Sequence, residues 1–254
     1  MQRFAGKTVL ITGSTGGIGL ETARRFHAEG AQLVLVDLDA ALLQAQAQAL
    51  GSGVSVYAAD VADEGAATRV FDELARHHTR IDVGVLNAGT EGMIALIEEQ
   101  TLTAFDRVMA VNVRGVFIWM AGLMRLMRAQ GSGAITVTSS TAGLQGARLL
   151  APYSASKHAV LGLVKSAAIE GAPAGIRVNA VNPGPVATRM INAIDAGRGE
   201  LSEVQARSAQ AVPMRRYGTA AEVAAMIAFI SSDDASFTTG STLCLDGGLV
   251  AGRG

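Results

Sequence analysis

Residues 7–30 constrain this chain more than any other stretch. A β-branched and aliphatic run ending at Thr12 passes through Thr12-Gly13-Ser14-Thr15-Gly16-Gly17-Ile18-Gly19 into a helical pattern that continues to Glu29 and stops at Gly30. This order of strand, glycine turn and helix is the opening of a βαβ unit. Glycines let the backbone approach a ligand closely, and a helix start offers free N–H groups and a positive dipole end to a pyrophosphate. Gly13, Ser14, Thr15, Gly17, Ile18 and Gly19 are therefore candidate contacts to a dinucleotide. A plain tight turn is the alternative reading of a glycine cluster taken alone.

Strands and helices then alternate. Further apolar strands are expected at 32–36, 54–59, 81–86, 134–138, 176–181 and 242–245, with helices at 40–50, 64–76, 105–130, 153–169 and 220–231. Each connection is long enough for a crossover, which predicts one doubly wound α/β (Rossmann) domain over residues 1–254, a parallel seven-stranded sheet with helices on both faces. The second strand ends in Asp37, eighteen residues beyond Gly19, where a dinucleotide fold places an acid on the adenosine ribose. Leu38 and Asp39 follow rather than Arg or Lys, so the site favours NAD over NADP. Asp60-Val61, at the third strand end, is a candidate for the adenine side, and Asn87-Ala88-Gly89 lets the fourth strand end approach the cofactor. Asp37 and Asp60 also read as caps for the helices that follow them.

The chemistry concentrates between Ser139 and Lys157. Tyr153 and Lys157 are four residues apart, which stacks them on one helix face. A fixed ammonium beside a phenol favours the phenolate, so the spacing predicts a Tyr153 pKa lowered from its usual ~10 and a tyrosine able to exchange protons as acid and base. Ser139 and Ser140 stand at the carboxyl end of the fifth strand, where open α/β sheets bind ligands.

Composition removes other function classes. A net charge of −1 with Lys and Arg scattered gives no electrostatic case for nucleic acid or an anionic membrane. The single Cys244 excludes an internal disulfide, the four His show no metal-ligand spacing beyond the adjacent His77 and His78, and no metal is expected. No signal peptide or anchor is visible near Met1, so a cytoplasmic protein is expected.

Taken together, residues 12–19, Asn87-Ala88-Gly89, Asn112, Ser140, Tyr153 with Lys157, and Asn182-Pro183-Gly184 resemble the short-chain dehydrogenase/reductase family over essentially the whole chain. The resemblance implies that Tyr153 is the general acid/base, that Lys157 bonds the nicotinamide ribose, that Ser140 polarises the substrate oxygen and that Asn112 links a proton relay to water. It implies further that Pro183, Gly184, Val186 and Thr188 help to hold the nicotinamide, and that the enzyme is a homotetramer. Two departures are Leu86, where many members carry a second Asn, and Gly171-Ala172-Pro173, where Leu is usual at the second position. Residues 189–212 mix apolar side chains with glycines and charges and read as a substrate lid, with an ordinary surface helix pair as the alternative. Glu91, Leu144, Leu150 and Met190, with Ser140 and Tyr153, are the candidate substrate contacts, and their mostly apolar character predicts a small, mainly apolar secondary alcohol or ketone; the similarity of residues 87–92 and 105–112 to NAD-dependent dehydrogenases of cyclic secondary alcohols implies a cyclic one. A 3-oxoacyl thioester reductase and a non-catalytic dinucleotide sensor are the alternatives.

Overall fold

The computed structural model describes residues 2–77 and 80–252; Met1, His78, Thr79, Arg253 and Gly254 lie outside the described residues, and His78 is half of the adjacent histidine pair noted in the sequence. The predicted alternation becomes strands β1 (Thr8–Thr12), β2 (Gln32–Asp37), β3 (Val54–Ala58), β4 (Val83–Leu86), β5 (Gly133–Thr138), β6 (Ile176–Pro183) and β7 (Thr242–Leu245). They form one parallel sheet in the order β3-β2-β1-β4-β5-β6-β7. Successive strand side chains point to opposite faces, so a strand covered on both sides must be apolar throughout. Accordingly Leu10 joins a core with Val70, Leu74, Trp119, Leu123 and Val160 on one face, while Val9 and Ile11 join another with Phe26, Leu43, Val223 and Ile227. Each such aliphatic side chain stabilises the fold by roughly 1.5–3 kcal/mol.

The helices are α1 (Gly17–Ala28), α2 (Ala40–Leu50), α3 (Glu64–Arg76), α4 (Leu102–Met109), α5 (Val116–Gln130), α6 (Ala151–Gly171), α7 (Arg189–Ala196), α8 (Leu201–Ala211) and α9 (Ala220–Ser231). Two caps are assigned by their hydrogen bonds. Asp39 accepts from Ala41 and Leu42 N–H at the start of α2, and Asp63 accepts from Gly65 N–H at the start of α3. Asp37 and Asp60 are thus not caps for these helices.

The single helix expected over 105–130 is interrupted. Its first segment starts earlier, at Leu102, because Thr101 caps it by accepting from Ala104 N–H, and a π-helical turn over Ala110–Gly115 separates α4 from α5. The continuous stretch Leu102–Gln130 is long and apolar enough to cross a membrane by length and composition, but 56% of its apolar window is buried inside the fold. Trp119 is 1% exposed and packs on Phe71 with ring centroids 5.3 Å apart, which makes it a core residue.

The strand order reverses between β1 and β4, whose ends pair in register as Thr12↔Leu86. A crevice opens beyond the carboxyl ends of strands at such a switch point. All the candidate site residues hang on that edge or on the segments facing it.

Candidate active site

At the switch point β1 runs directly into the glycine turn. Gly13 has φ +64°, and a Cβ placed there would come 2.6 Å from the Ala88 Cα, so this residue needs both left-handed backbone and an absent side chain. A Cβ at Gly19 would sit 2.0 Å from the Gly13 carbonyl oxygen, which is how α1 packs so close to the turn. Asn87 Nδ2 donates to that same carbonyl at 2.9 Å, tying the end of β4 to the turn. The N-cap of α1 is Gly16, whose lack of a side-chain capping bond leaves the first-turn N–H groups for a ligand.

Asp37 completes this half. One carboxylate oxygen accepts from Thr15 N–H at 2.9 Å and from Thr15 Oγ1 at 2.8 Å, and the other accepts from Leu38 N–H at 2.7 Å. The acid both faces the cleft and holds the glycine turn. Asp60 accepts from Ala62 N–H at 2.9 Å and pairs with Arg107 Nη1 at 3.2 Å, a partner that no local motif in the sequence announces.

One cavity of about 650 Å³ runs from Asp37 and Leu38 past the glycine turn to Tyr153 and on to α7 and α8. It brings together Gly13, Thr15, Gly17, Ile18, Asp37, Leu38, Asp60, Val61, Asn87, Ala88, Gly89, Ser140, Leu150, Tyr153, Lys157, Pro183, Gly184, Val186, Thr188 and Met190. Five expected residues, Asn112 among them, do not line it. Ser14 and Gly19 are buried behind the turn, where the Ser14 carbonyl accepts from Gln46 Nε2 at 3.0 Å. Leu144 is turned to solvent at 40% exposure, so the apolar wall is built without it. Glu91 does not line the cavity, though its charge reaches the Tyr153 phenol.

The paired serines separate by function. Ser139 is buried and its hydroxyl donates to the Lys157 carbonyl at 3.1 Å, anchoring α6 to β5. Ser140 opens onto the cavity with Tyr153 and accepts from Ala142 N–H at 3.1 Å.

The phenol's ionisation runs against the expectation from spacing. Burial pushes the Tyr153 phenol up to about 12; the Ser140 hydroxyl opposes that rise and the Glu91 charge adds to it. Lys157 does not offset it, because its Nζ donates to the Thr138 carbonyl at 2.9 Å and stands 5.6 Å from the tyrosine ring centroid. Burial pushes the ammonium itself down to about 8. Spacing put both groups on one face but could not show that desolvation would dominate.

Asn112 sits in the π turn, fully buried, and does not line the cavity. Its Oδ1 accepts from Thr90 N–H at 2.8 Å, and its Nδ2 donates to the Thr90 carbonyl at 2.9 Å and to Ser156 Oγ at 3.0 Å. With its amide so engaged, the side chain pins the loop after β4 against α6. Thr188 caps α7, and a Cβ on Gly17 would meet its methyl at 2.8 Å, so the segment after β6 closes directly over the glycine turn.

The far wall joins the expected Leu150 and Met190 to residues that the sequence did not single out. Ala142, Ala147, Leu150, Met190, Ile191 and Ile194 pack with Tyr153 into an apolar cluster. Beyond it Asp195, Arg198 and Ser208 also line the cavity. Only their meeting in three dimensions marks them, since Asp195 is hydrogen-bonded by Tyr217, 22 residues away, at 2.7 Å.

A parallel doubly wound sheet with a dinucleotide-shaped cleft at its reversal point, ending at a buried tyrosine and lysine, defines the class as a nucleotide-dependent α/β oxidoreductase. Comparison with known proteins narrows this. A family model described as "Enoyl-(Acyl carrier protein) reductase" matches residues 13–250. Levodione reductase of Leifsonia aquatica is 38% identical over 98% of this chain and 96% of its own; a crystal structure of levodione reductase, 37% identical, superposes with a TM-score of 0.96 over 99% of this chain and 100% of that one. Cis-4-hydroxycyclohexanecarboxylate dehydrogenase of Sinomonas cyclohexanicum is 37% identical over 98% of this chain and 99% of its own. The structure of an NAD+-bound xylitol dehydrogenase aligns at 35% identity with a TM-score of 0.91, covering 96% of this chain and 98% of that one. The chain belongs to the short-chain dehydrogenase/reductase family, and is an oxidoreductase acting on CH–OH groups.

Proposed function

We propose that this enzyme interconverts a small cyclic secondary alcohol and its ketone by hydride transfer with NAD. The observation that carries the reading is the continuity of one cavity from the Asp37 carboxylate to an apolar chamber floored by Tyr153. The residues present fit the cofactor: the bare α1 N-terminus suits a pyrophosphate, the glycine turn has no room for a side chain, and Asp37 suits ribose hydroxyls while opposing a 2′-phosphate. When bound, NAD supplies the hydride acceptor.

The chain's own residues handle the proton. A phenol held near 12 is protonated at neutral pH, the form that gives a proton to a ketone oxygen as it is reduced. Ser140 orients that oxygen beside Tyr153. Lys157, with an ammonium pushed to about 8, holds the ribose and passes protons onward, and Asn112 keeps the relay's framework in place through Thr90 and Ser156. Helices α7 and α8 form the lid over the chamber.

The relatives named for cyclic compounds favour a ring-shaped substrate over a sugar or a thioester. Comparing kcat/KM across cycloalkanols, sugars, hydroxy acids and 3-hydroxyacyl thioesters tests this; a thioester or sugar exceeding every cyclic alcohol rejects it. The enzyme is a cytoplasmic homotetramer in this reading. Phe117 and Ile169, at 57% and 77% exposure on α5 and α6, supply apolar surface for pairing, and light scattering that shows only a 26.1 kDa species would reject assembly.

A further inference from the structure

Resting on that reading of the reaction, we infer that Arg198 is a specificity residue that binds a second, neutral oxygen on the substrate, so that the preferred ring carries another ketone or hydroxyl remote from the reacting carbon.

The chamber around Tyr153 is apolar, and a wall of alanine, leucine, isoleucine and methionine alone would make no distinction between a plain ring and an oxygenated one. Its far wall is different. Asp195 is completely buried, and its Oδ2 accepts from the Tyr217 hydroxyl at 2.7 Å. Its other oxygen, Oδ1, is buried without a hydrogen-bond partner and lies 3.8 Å from Arg198 Nη1, beyond hydrogen-bond length. A buried carboxylate oxygen is stabilised only when a charge or donor stands by it. Asp195 therefore fixes the position of the guanidinium without saturating it, and Arg198 keeps donors for the cavity that it lines.

Tyr217 locks the acid in turn. Burial and the Asp195 charge push its phenol up to about 12, so it stays a donor to the carboxylate at all physiological pH, and the Ser208 hydroxyl contacts it from α8. Three segments thus converge on one side chain: the end of α7, the middle of α8, and the turn before α9.

Placement along α7 separates this subsite from the cofactor. Thr188, at the start of the helix, touches the glycine turn. The eight-residue helix is about 12 Å long at 1.5 Å per residue, and Arg198 lies just past its other end. Ile194, the residue before Asp195, packs in the same cluster as Tyr153, which puts Arg198 about one turn beyond the reaction chamber. Charge decides the kind of oxygen. Of the cavity-lining arginines, Arg107 pairs with the part-exposed Asp60 and Arg189 is exposed at the start of α7, whereas Arg198 is backed by a fully buried carboxylate that offsets its charge. A carbonyl or hydroxyl oxygen can accept from the guanidinium there, while a carboxylate would face Asp195 across the same site. Asp195 and Tyr217 are positioning residues; Arg198 alone touches substrate.

The test compares cyclohexanone with 1,4-cyclohexanedione as substrates of the NADH-loaded enzyme. The dione is expected to be favoured in kcat/KM by at least about tenfold, the usual scale for one hydrogen bond to a charged group. In Arg198→Met the ratio of dione to monoketone collapses, through the KM for the dione. Tyr217→Phe, which frees the acid without removing the guanidinium, moves the same ratio part of the way, with kcat for the dione little changed. A ratio that stays the same in Arg198→Met overturns the inference. So does a stronger preference for 4-oxocyclohexanecarboxylate that depends on Arg198, which would make the subsite an anion site. If neither ketone turns over, the proposed reaction fails, and calorimetric titration of the holoenzyme with the two ketones still reads the subsite: equal dissociation constants reject it, while tighter dione binding lost in Arg198→Met supports it.

Discussion

The two ends of the cavity are built on different principles. At the cofactor end, backbone meets backbone: the Gly13 turn packs on Ala88, Asn87 bonds the Gly13 carbonyl, and Asp37 is held by Thr15 and Leu38 N–H groups. At the substrate end, side chains from separate segments meet: Ile194 on Tyr153, Tyr217 on Asp195, and Arg198 across from it. The first kind of site tolerates almost no change of residue because the main chain itself is the binding surface. The second can change its ligand by exchanging one side chain, which suits a scaffold whose relatives act on differently substituted compounds.

Tyr153 stands where the two ends join, and its loss should be the largest effect. Tyr153→Phe removes the proposed proton donor, so kcat should fall by at least ~10²-fold while NAD affinity, measured by calorimetry, changes little. Unchanged turnover would divide the cavity into two sites with no shared chemistry.

Lys157 should show that the junction is held at the expense of stability. Its folded pKa of about 8 lies below the 10.5 of a solvated lysine, so below pH 8 the fold carries a buried ammonium that the unfolded chain solvates. The unfolded state therefore binds more protons between those values, and this contribution to stability rises as pH climbs from about 8 towards 10.5. Tyr153 acts oppositely between about 10 and 12, because the folded state there keeps the proton. Lys157→Met should gain about 3 kcal/mol at neutral pH, less the lost hydrogen bond to Thr138, and lose the rise above pH 8. Urea unfolding at pH 7 and pH 9.5 reads both, and an unaltered pH dependence would remove Lys157 as its source.

The cofactor end should respond sharply to a single methyl. Gly13→Ala forces a Cβ to within 2.6 Å of the Ala88 main chain on left-handed backbone, so NAD affinity should fall about tenfold or the fold lose about 1–3 kcal/mol. Wild-type affinity and thermal stability in that variant would show that the turn is not close-packed. Asp37→Ala should have the smallest effect, narrowing the preference of kcat/KM for NAD over NADP by severalfold without abolishing turnover. Equal use of both cofactors by the unmodified enzyme would take Asp37 out of cofactor selection.

The same contrast explains what was legible in the sequence. Glycines at positions 13 and 19 report a backbone need that no other residue meets, and a strand that ends in Asp37 carries its position along the chain, so the cofactor end and the strand order could be read from local pattern. The Tyr153–Lys157 spacing gave their shared face but not their ionisation, since burial depends on what α6 packs against. Helix periodicity over 105–130 hid the π turn, because the bonds that hold it run from Asn112 to Thr90 and Ser156. Leu144 looked like pocket lining by type alone, and the loop turned it outward. Asp195, Arg198 and Tyr217 could not be found at all, because a buried acid is recognisable only with its distant partner beside it.

Hydride is expected to pass from the carbinol carbon of a cyclic secondary alcohol to NAD in this cleft. The direct measurement is to mix the purified protein with NAD and cycloalkanols deuterated at that carbon, follow NADH absorbance, and weigh the NADH formed. Absorbance should rise, and the NADH should carry the deuterium. NAD binding by calorimetry with no NADH formed from any alcohol would contradict hydride transfer and leave a dinucleotide sensor, and NADH without the label would contradict direct transfer.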